Sequence, residues 1–131
     1  MKQSILKGVY VLLIELSRDE RMHVGSLGEI SFKKGTYAYV GSAQKGIIQR
    51  VSRHLSANKK LFWHIDYFLN SPNAKVKKVL YKEAGKSEEC NLARKLLKEN
   101  QPVSRFGCSD CKCESHFFRI NHFNLSGMKE L

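Results

Sequence analysis

The hydrophobic positions near the start of the chain form a continuous run. Residues 8–16 are apolar except for one glutamate, which predicts a strand buried on both faces inside a sheet. The polar stretch 17–21 has turn composition. Residues 22–32, interrupted by Gly25 and Gly28, predict a strand that returns beside the first with a bulge or kink. These segments together predict a β-hairpin.

The hydrophobic period changes in the middle of the chain. Residues 37–42 combine small and aromatic side chains, which is typical of a strand. From Gly46 onward the apolar positions recur at helical spacing and define one face of a helix. The members of that face are Ile47, Ile48, Val51 and Leu55. Arg50 and His54 are predicted on one flank of this face, whereas Arg53 is predicted on the opposite, solvated side.

The second half of the chain predicts two further helices and one further strand. Residues 62–69 indicate a short helix, 75–81 a strand with basic outward positions, and 87–100 a longer helix. Residues beyond Asn121 are expected to form a loose polar end. Strands and helices therefore share one small domain.

Length and charge narrow the class of protein. The chain has 131 residues, enough for one modest core and too few for two independent domains. We predict a single domain over residues 1–131, with a Cys-rich C-terminal segment at 106–118. Its 23 Lys and Arg against 12 Asp and Glu give a net charge of +11, which favours nucleic acid as a partner. Plain solubility is the alternative interpretation.

The chain shows no pattern of export or membrane insertion. The apolar run 9–16 is too short to span a bilayer, contains Glu15 and is followed by no small-residue cleavage site. We therefore expect a cytoplasmic protein with no membrane partner. In that compartment the four cysteines are more typical of thiols or metal ligands than of disulfides.

The Cys-rich segment suggests a metal site. Cys108 and Cys111 have the two-residue spacing of a zinc knuckle. The predicted zinc ligands are drawn from Cys90, Cys108, Cys111, Cys113 and His116. Two alternatives remain open: a set of reduced, partly buried cysteines, and a redox-active disulfide.

One carboxylate falls within the apolar face of the last helix. That face is formed by Cys90, Leu92, Ala93, Leu96 and Leu97, and its centre lies close to Glu89, whereas Glu88 lies at its edge. A buried carboxylate is costly unless it is paired, hydrogen-bonded or bound to a metal. We therefore expect Glu89 to face Arg50, a tyrosine or a cation. A structural ion pair is the alternative.

Four of these features occur in a recognisable order. Gly8-Val9-Tyr10, Tyr39-Val40-Gly41-Ser42, Arg50 and Glu89 resemble the signature of the GIY-YIG nuclease superfamily. The chain departs from that signature in two ways. A valine stands at the centre of each tripeptide, and the step from Gly41 to Arg50 is one residue longer than in the superfamily.

The similarity extends to a small branch of that superfamily. Residues 63–67, 89–90 and 106–111 are similar to the Uri-type branch, formerly a domain of unknown function. The resemblance covers nearly the whole chain. It implies an α+β domain with a small central, mainly antiparallel β-sheet flanked by helices. It also implies metal-dependent hydrolysis of nucleic-acid phosphodiesters, of DNA in repair or processing or of RNA.

The resemblance also implies a role for each signature residue. Glu89 would bind Mg²⁺ or Mn²⁺, which take few protein carboxylates. Arg50 would hold the scissile phosphate, because its rigid fork of donors matches phosphate oxygens. Tyr10 would accept a proton from the attacking water, directly or through a relay, and Tyr39 would be a supporting or phosphate-contacting phenol. The remaining predicted site residues are Gly41 and His54 in secondary roles, and Lys45 and Arg53 as nucleic-acid contacts.

Two functions of another class remain open. A nucleic-acid-binding module that does not cleave, acting beside a repair enzyme, would show the same charge. A zinc-stabilised interaction protein explains the cysteines but leaves Tyr10, Arg50 and Glu89 unexplained. A minimal nuclease is also expected to depend on a partner protein or a homodimer for targeting, and so to show low sequence preference on its own.

Overall fold

The computed structural model describes residues 5–57, 59–108, 112–123, 125 and 127–131. Within these residues the strands are β1 (Gly8–Leu16), β2 (Glu20–His23), β3 (Glu29–Phe32), β4 (Gly35–Ala43), β5 (Ala74–Lys82), β6 (Gln101–Pro102), β7 (Phe117–Arg119) and β8 (Lys129–Glu130). The α-helices are α1 (Ile47–Leu55), α2 (His64–Leu69) and α3 (Ser87–Leu97), and a 3₁₀ turn spans Gly25–Leu27. None of the helices in the described part of the chain is long and apolar enough to cross a membrane.

In the described part of the chain the central sheet has six strands in the order β6-β7-β4-β1-β5-β8, and neighbouring strands pair in antiparallel fashion. Helices pack on both faces, so the predicted α+β class with a mainly antiparallel sheet is confirmed.

The central position of β1 explains its continuous apolar sequence. One side of the strand, represented by Tyr10 and Leu12, joins the core that includes Ile47 of α1 and Phe68 of α2. The other side, represented by Val9, joins a second core with Leu92 and Leu96 of α3. Because successive side chains of a strand point to opposite faces, both cores require an apolar residue at each step. The predicted interior strand is confirmed.

The predicted hairpin between residues 8–16 and 22–32 is wrong. Strand β1 instead pairs with β4 and β5, and residues 20–32 fold back on themselves to form the separate β2-β3 sheet. Gly25 and Gly28 have φ angles of 46° and 76°, which lie outside the strand region and favour glycine. The two glycines therefore mark a reversal of the chain rather than a bulge.

Three further expectations about the elements need correction. The predicted loose end contains β8, which adds to the edge of β5. On α1 the predicted apolar face is narrower than expected, because Ile48 and Leu55 are 53% and 58% exposed. His54 is buried in place of these two residues. The third helix ends at Leu97, three residues before the predicted end.

Candidate active site

An open pocket of about 700 Å³ lies where β4 leads into α1 and where α3 begins. Five of the residues predicted for the site line it: Tyr39, Gly41, Lys45, Arg50 and Glu89. The other lining residues among those described are Ser26, Ser42, Gln44, Phe62, Trp63, His64, Lys86 and Gly107. The fold therefore brings together side chains that are far apart in the sequence.

Tyr10 lies behind the wall of the pocket rather than in it. Its side chain is almost fully buried, and its hydroxyl is hydrogen-bonded to Nε2 of His54 at 2.7 Å. Tyr10 and Gly41 are paired residues of β1 and β4. A Cβ atom on Gly41 would lie 2.4 Å from Cζ of Tyr10, so only glycine leaves room for this ring. The phenol that lines the pocket is Tyr39.

Burial determines the protonation states of Tyr10, Tyr39 and His54. It raises the pKa of Tyr10, and the nearby Arg50 guanidinium opposes the shift. Burial also raises the pKa of Tyr39 well above its usual range, and Tyr10 and Glu89 add to that rise. Burial lowers the pKa of His54 from 6.5 to about 4, against the opposing effect of Asp66. At neutral pH the two phenols and the imidazole are therefore all uncharged.

Arg50 is held in place without a neutralising carboxylate. Its Nη1 donates to the Ser42 carbonyl at 3.1 Å, and its guanidinium carbon lies 4.4 Å from the ring centroid of Trp63. No Asp or Glu in the described part of the chain lies within ion-pair distance of this guanidinium. The arrangement fixes a positive charge beside the pocket.

The environment of Arg53 differs from the expectation. This side chain is not solvated on the far side of α1, because it also packs on Trp63, at 4.3 Å from the ring centroid. Its Nη1 and Nη2 donate to the buried Asp66 carboxylate at 2.9 and 3.0 Å. Asp66 also accepts from the backbone N–H of Phe62 and Trp63, at 2.9 and 2.8 Å. Arg53 therefore has a structural ion pair that the sequence did not reveal.

Glu89 lies between the pocket and the Cys-rich segment. Its side chain is 13% exposed, so the predicted burial is only partial, and it lines the pocket. Its Oε1 lies 3.9 Å from Nδ1 of His116. Its charge also contributes to the raised pKa values of Tyr10 and Tyr39. Glu89 therefore lies near both tyrosines and His116, and the expectation that it faces Arg50, a tyrosine or a cation stays a prediction.

Three of the predicted zinc ligands form a cluster that can hold a metal ion. The ligand atoms of Cys90, Cys113 and His116 all lie within 4.8 Å of one another. Cys108 is outside this group, and its thiol donates to the Phe106 carbonyl at 3.6 Å. Cys111, also predicted as a ligand, lies outside the described residues.

Sequence reasoning overlooked the aromatic wall of the pocket. Trp63 is not among the predicted site residues, but it is half-buried, lines the pocket and contacts both arginines of α1. Phe62 is 75% exposed at the same wall. The pair of aromatic residues directly before α2 was the available signal, because one of two adjacent side chains at a helix start commonly remains outside the core.

Comparison with protein families identifies the chain. Curated proteins and solved structures gave no match. The family model described as "Domain of unknown function DUF123" matches residues 9–130, nearly the whole chain. The chain therefore belongs to the DUF123 family.

Proposed function

We propose that this protein is a divalent-metal-dependent endonuclease of the GIY-YIG superfamily, in its Uri-type branch. The observation that carries the proposal is the shared pocket of Tyr39, Arg50 and Glu89, with the hydrogen-bonded Tyr10 and His54 directly behind it. A base, a cation for phosphate and a carboxylate for a metal are the groups that phosphodiester hydrolysis requires.

Arg50 binds the scissile phosphate in this proposal. Its guanidinium lacks a carboxylate among the described residues, so a phosphate oxygen would supply the missing negative charge. Trp63 and the Ser42 carbonyl restrict its orientation. A cation that is already oriented stabilises the growing charge of the transition state at little reorganisation cost. Lys45 and Lys86, exposed residues of the pocket lining, extend the positive surface along the nucleic acid.

Proton transfer involves the two tyrosines and His54. As a water oxygen forms its bond to phosphorus, the bond from phosphorus to the leaving nucleoside oxygen breaks, and the water loses a proton. Tyr39, the phenol at the pocket wall, is uncharged, so it would take up this proton only as its own hydroxyl proton passes on to a base behind the wall, and the leaving oxygen would be protonated by solvent. The neutral imidazole of His54 lies 6.0 Å from Tyr39 between ring centroids and is hydrogen-bonded to Tyr10. The hydrogen-bonded pair of Tyr10 and His54 serves as the base behind the pocket wall. Tyr10 would then act through a proton relay, as the sequence allows.

The donor set of the pocket fits a hard divalent cation. Glu89 is the carboxylate that lines the pocket among the described residues, whereas Asp66 is already occupied by Arg53. Mg²⁺ and Mn²⁺ keep several waters and commonly use one or two protein carboxylates together with substrate phosphate oxygens. Glu89 would hold the ion, which supplies charge neutralisation at the phosphate.

A cleavage assay with matched variants tests the proposal. Purified protein is incubated with labelled duplex, single-stranded, flap and branched DNA, and with RNA, with and without Mg²⁺ or Mn²⁺. Glu89→Gln removes the proposed metal ligand. Glu88→Gln is the control, because Glu88 is the adjacent carboxylate, pairs with Lys82 and lies outside the pocket lining.

Metal-dependent cutting that is lost in Glu89→Gln and kept in Glu88→Gln supports the nuclease. Equal cutting by wild type and Glu89→Gln would indicate a contaminant or a different site. Binding of nucleic acid without cleavage under any of these conditions would replace the nuclease with a recognition module.

A further inference from the structure

The cluster of Cys90, Cys113 and His116 is close to the geometry of a zinc site. Cys90 lies on α3, and the other two residues precede β7. Zinc–ligand bonds of about 2.0–2.3 Å give a tetrahedron with edges of about 3.5–3.8 Å. The Cys90 Sγ to His116 Nε2 distance is already 4.0 Å, and all three ligand atoms lie within 4.8 Å of one another. Binding therefore requires movements of about one ångström or less.

The two ring nitrogens of His116 face two different side chains. The residue is 2% exposed, and its backbone N–H donates to the Phe106 carbonyl at 2.9 Å. Its Nε2 faces Cys90, while its Nδ1 faces Oε1 of Glu89 at 3.9 Å. Metal-binding histidines usually donate their second ring nitrogen to a carboxylate or a carbonyl, which fixes the ring and strengthens the metal bond.

We propose that Cys90, Cys113 and His116 bind a zinc ion, and that the His116 ring couples this ion to Glu89. Two thiolates and an imidazole favour zinc over Mg²⁺ or Ca²⁺, which prefer oxygen ligands. Binding displaces the thiol protons of both cysteines to solvent. The ion would join the segment before β7 to α3. Its ligand on α3 is Cys90, the residue after Glu89. Neither the zinc site nor its coupling to Glu89 depends on the proposed nuclease activity.

Metal analysis of the purified full chain tests the site directly. We expect about one zinc ion per chain, lost in Cys90→Ser and in Cys113→Ser. Cys108→Ser is the matched control, because this half-buried cysteine is outside the cluster and its substitution should leave the zinc content unchanged. Loss of zinc in Cys108→Ser with retention in Cys90→Ser would overturn the assignment.

A second measurement does not depend on whether the variants fold. Co²⁺ bound to the wild-type chain should give thiolate-to-cobalt charge-transfer absorption. A cobalt spectrum without that absorption, or a Cys90–Cys113 disulfide in protein purified under reducing conditions, would overturn the proposal.

The coupling to Glu89 has its own test. Loss of a carboxylate that supports a metal-binding histidine typically weakens metal affinity by about 10–100-fold. We expect a loss of that size for zinc in Glu89→Gln, measured by competition with a chromophoric chelator, and no change in Glu88→Gln. Equal affinities in both variants would refute the coupling.

The outcomes also separate this inference from the nuclease. A protein that cuts nucleic acid but takes up no zinc contradicts only the zinc site. A protein that takes up zinc through Cys90 and Cys113 but cuts nothing contradicts only the nuclease.

Discussion

The close packing of Tyr10 against Gly41 is the contact on which the candidate site depends, and Gly41→Ala tests it. A Cβ atom at this position would lie 2.4 Å from Cζ and 2.5 Å from Oη of Tyr10. Gly41 does not have a positive φ angle, so alanine fits the backbone there. Any destabilisation by the substitution should therefore come from the clash with the ring.

The expected magnitude follows from what the ring would lose. Overpacking a well-packed core costs about 1–3 kcal/mol. Displacing the ring also breaks the 2.7 Å hydrogen bond to His54, and a buried polar group without a partner costs about 1–3 kcal/mol. We expect Gly41→Ala to lower the free energy of unfolding by about 2–6 kcal/mol. A domain of this size has only about 5–15 kcal/mol in total.

Urea denaturation followed by circular dichroism measures this change, with Gly85→Ala as the control. Gly85 is exposed, lacks a positive φ angle and has no atom within 4 Å of an added Cβ, so its substitution should change stability by less than about 0.5 kcal/mol. In a Tyr10→Leu background the ring is absent, and the cost of Gly41→Ala should fall by about 0.5–3 kcal/mol. Similar small effects at both glycines, or full additivity with Tyr10→Leu, would refute the packing argument.

Three other predictions follow from buried or exposed groups. Burial lowers the pKa of His54 from 6.5 to about 4, so protonation of this imidazole opposes folding. The free energy of unfolding is therefore highest above pH 6.5 and falls by about 3 kcal/mol as the pH drops to 4. Denaturation at several pH values should therefore give a flatter profile for His54→Gln, and identical profiles would contradict the shift. Phe62→Ala should weaken binding of single-stranded oligonucleotides by about 1–3 kcal/mol in fluorescence anisotropy, because a base can stack on this exposed ring. Ile48→Ala, exposed but outside the pocket lining, should have no effect, and equal losses would point to nonspecific apolar binding. Asp66→Asn should lower the free energy of unfolding by about 3–5 kcal/mol, because it breaks the ion pair between buried Asp66 and Arg53. A melting temperature equal to that of the wild type would contradict this role.

The sequence predicted the elements whose pattern depends on burial alone. The interior strand β1 was recognised because both of its faces are covered, and helix α1 because Ile47 and Val51 recur at helical spacing and lie in the core. Strand pairing was not recognised, because the chain reversal at Gly25 and Gly28 resembles an interrupted strand in sequence. The two-residue strand β8 was missed because its residues are exposed, so no apolar pattern marks it.

The sequence predicted which signature residues lie near the candidate pocket, but not the position of each one in it. The order of Tyr10, Tyr39, Arg50 and Glu89 suggested one constellation, whereas only the fold shows that Tyr39 lines the pocket and Tyr10 lies behind it. Helical phase placed Arg53 in solvent. A long side chain can reach back across a helix flank to a buried charge, and the position of Asp66 in space is not encoded in the local pattern.

The two arginines of α1 differ in what they contact: Arg53 pairs with a buried carboxylate, whereas Arg50 lines the pocket. Arg50 and Arg53 both pack on Trp63, so the apolar contact is similar for each. Arg53 is neutralised by a buried carboxylate, while Arg50 has no such partner among the described residues and lines the pocket. Holding a cation in place without a counter-charge adds little to the stability of the fold. It does prepare a site for an anion, because the side-chain entropy and orientation are already fixed before the ligand arrives. Arg50 is therefore the residue at which we expect phosphate binding to begin.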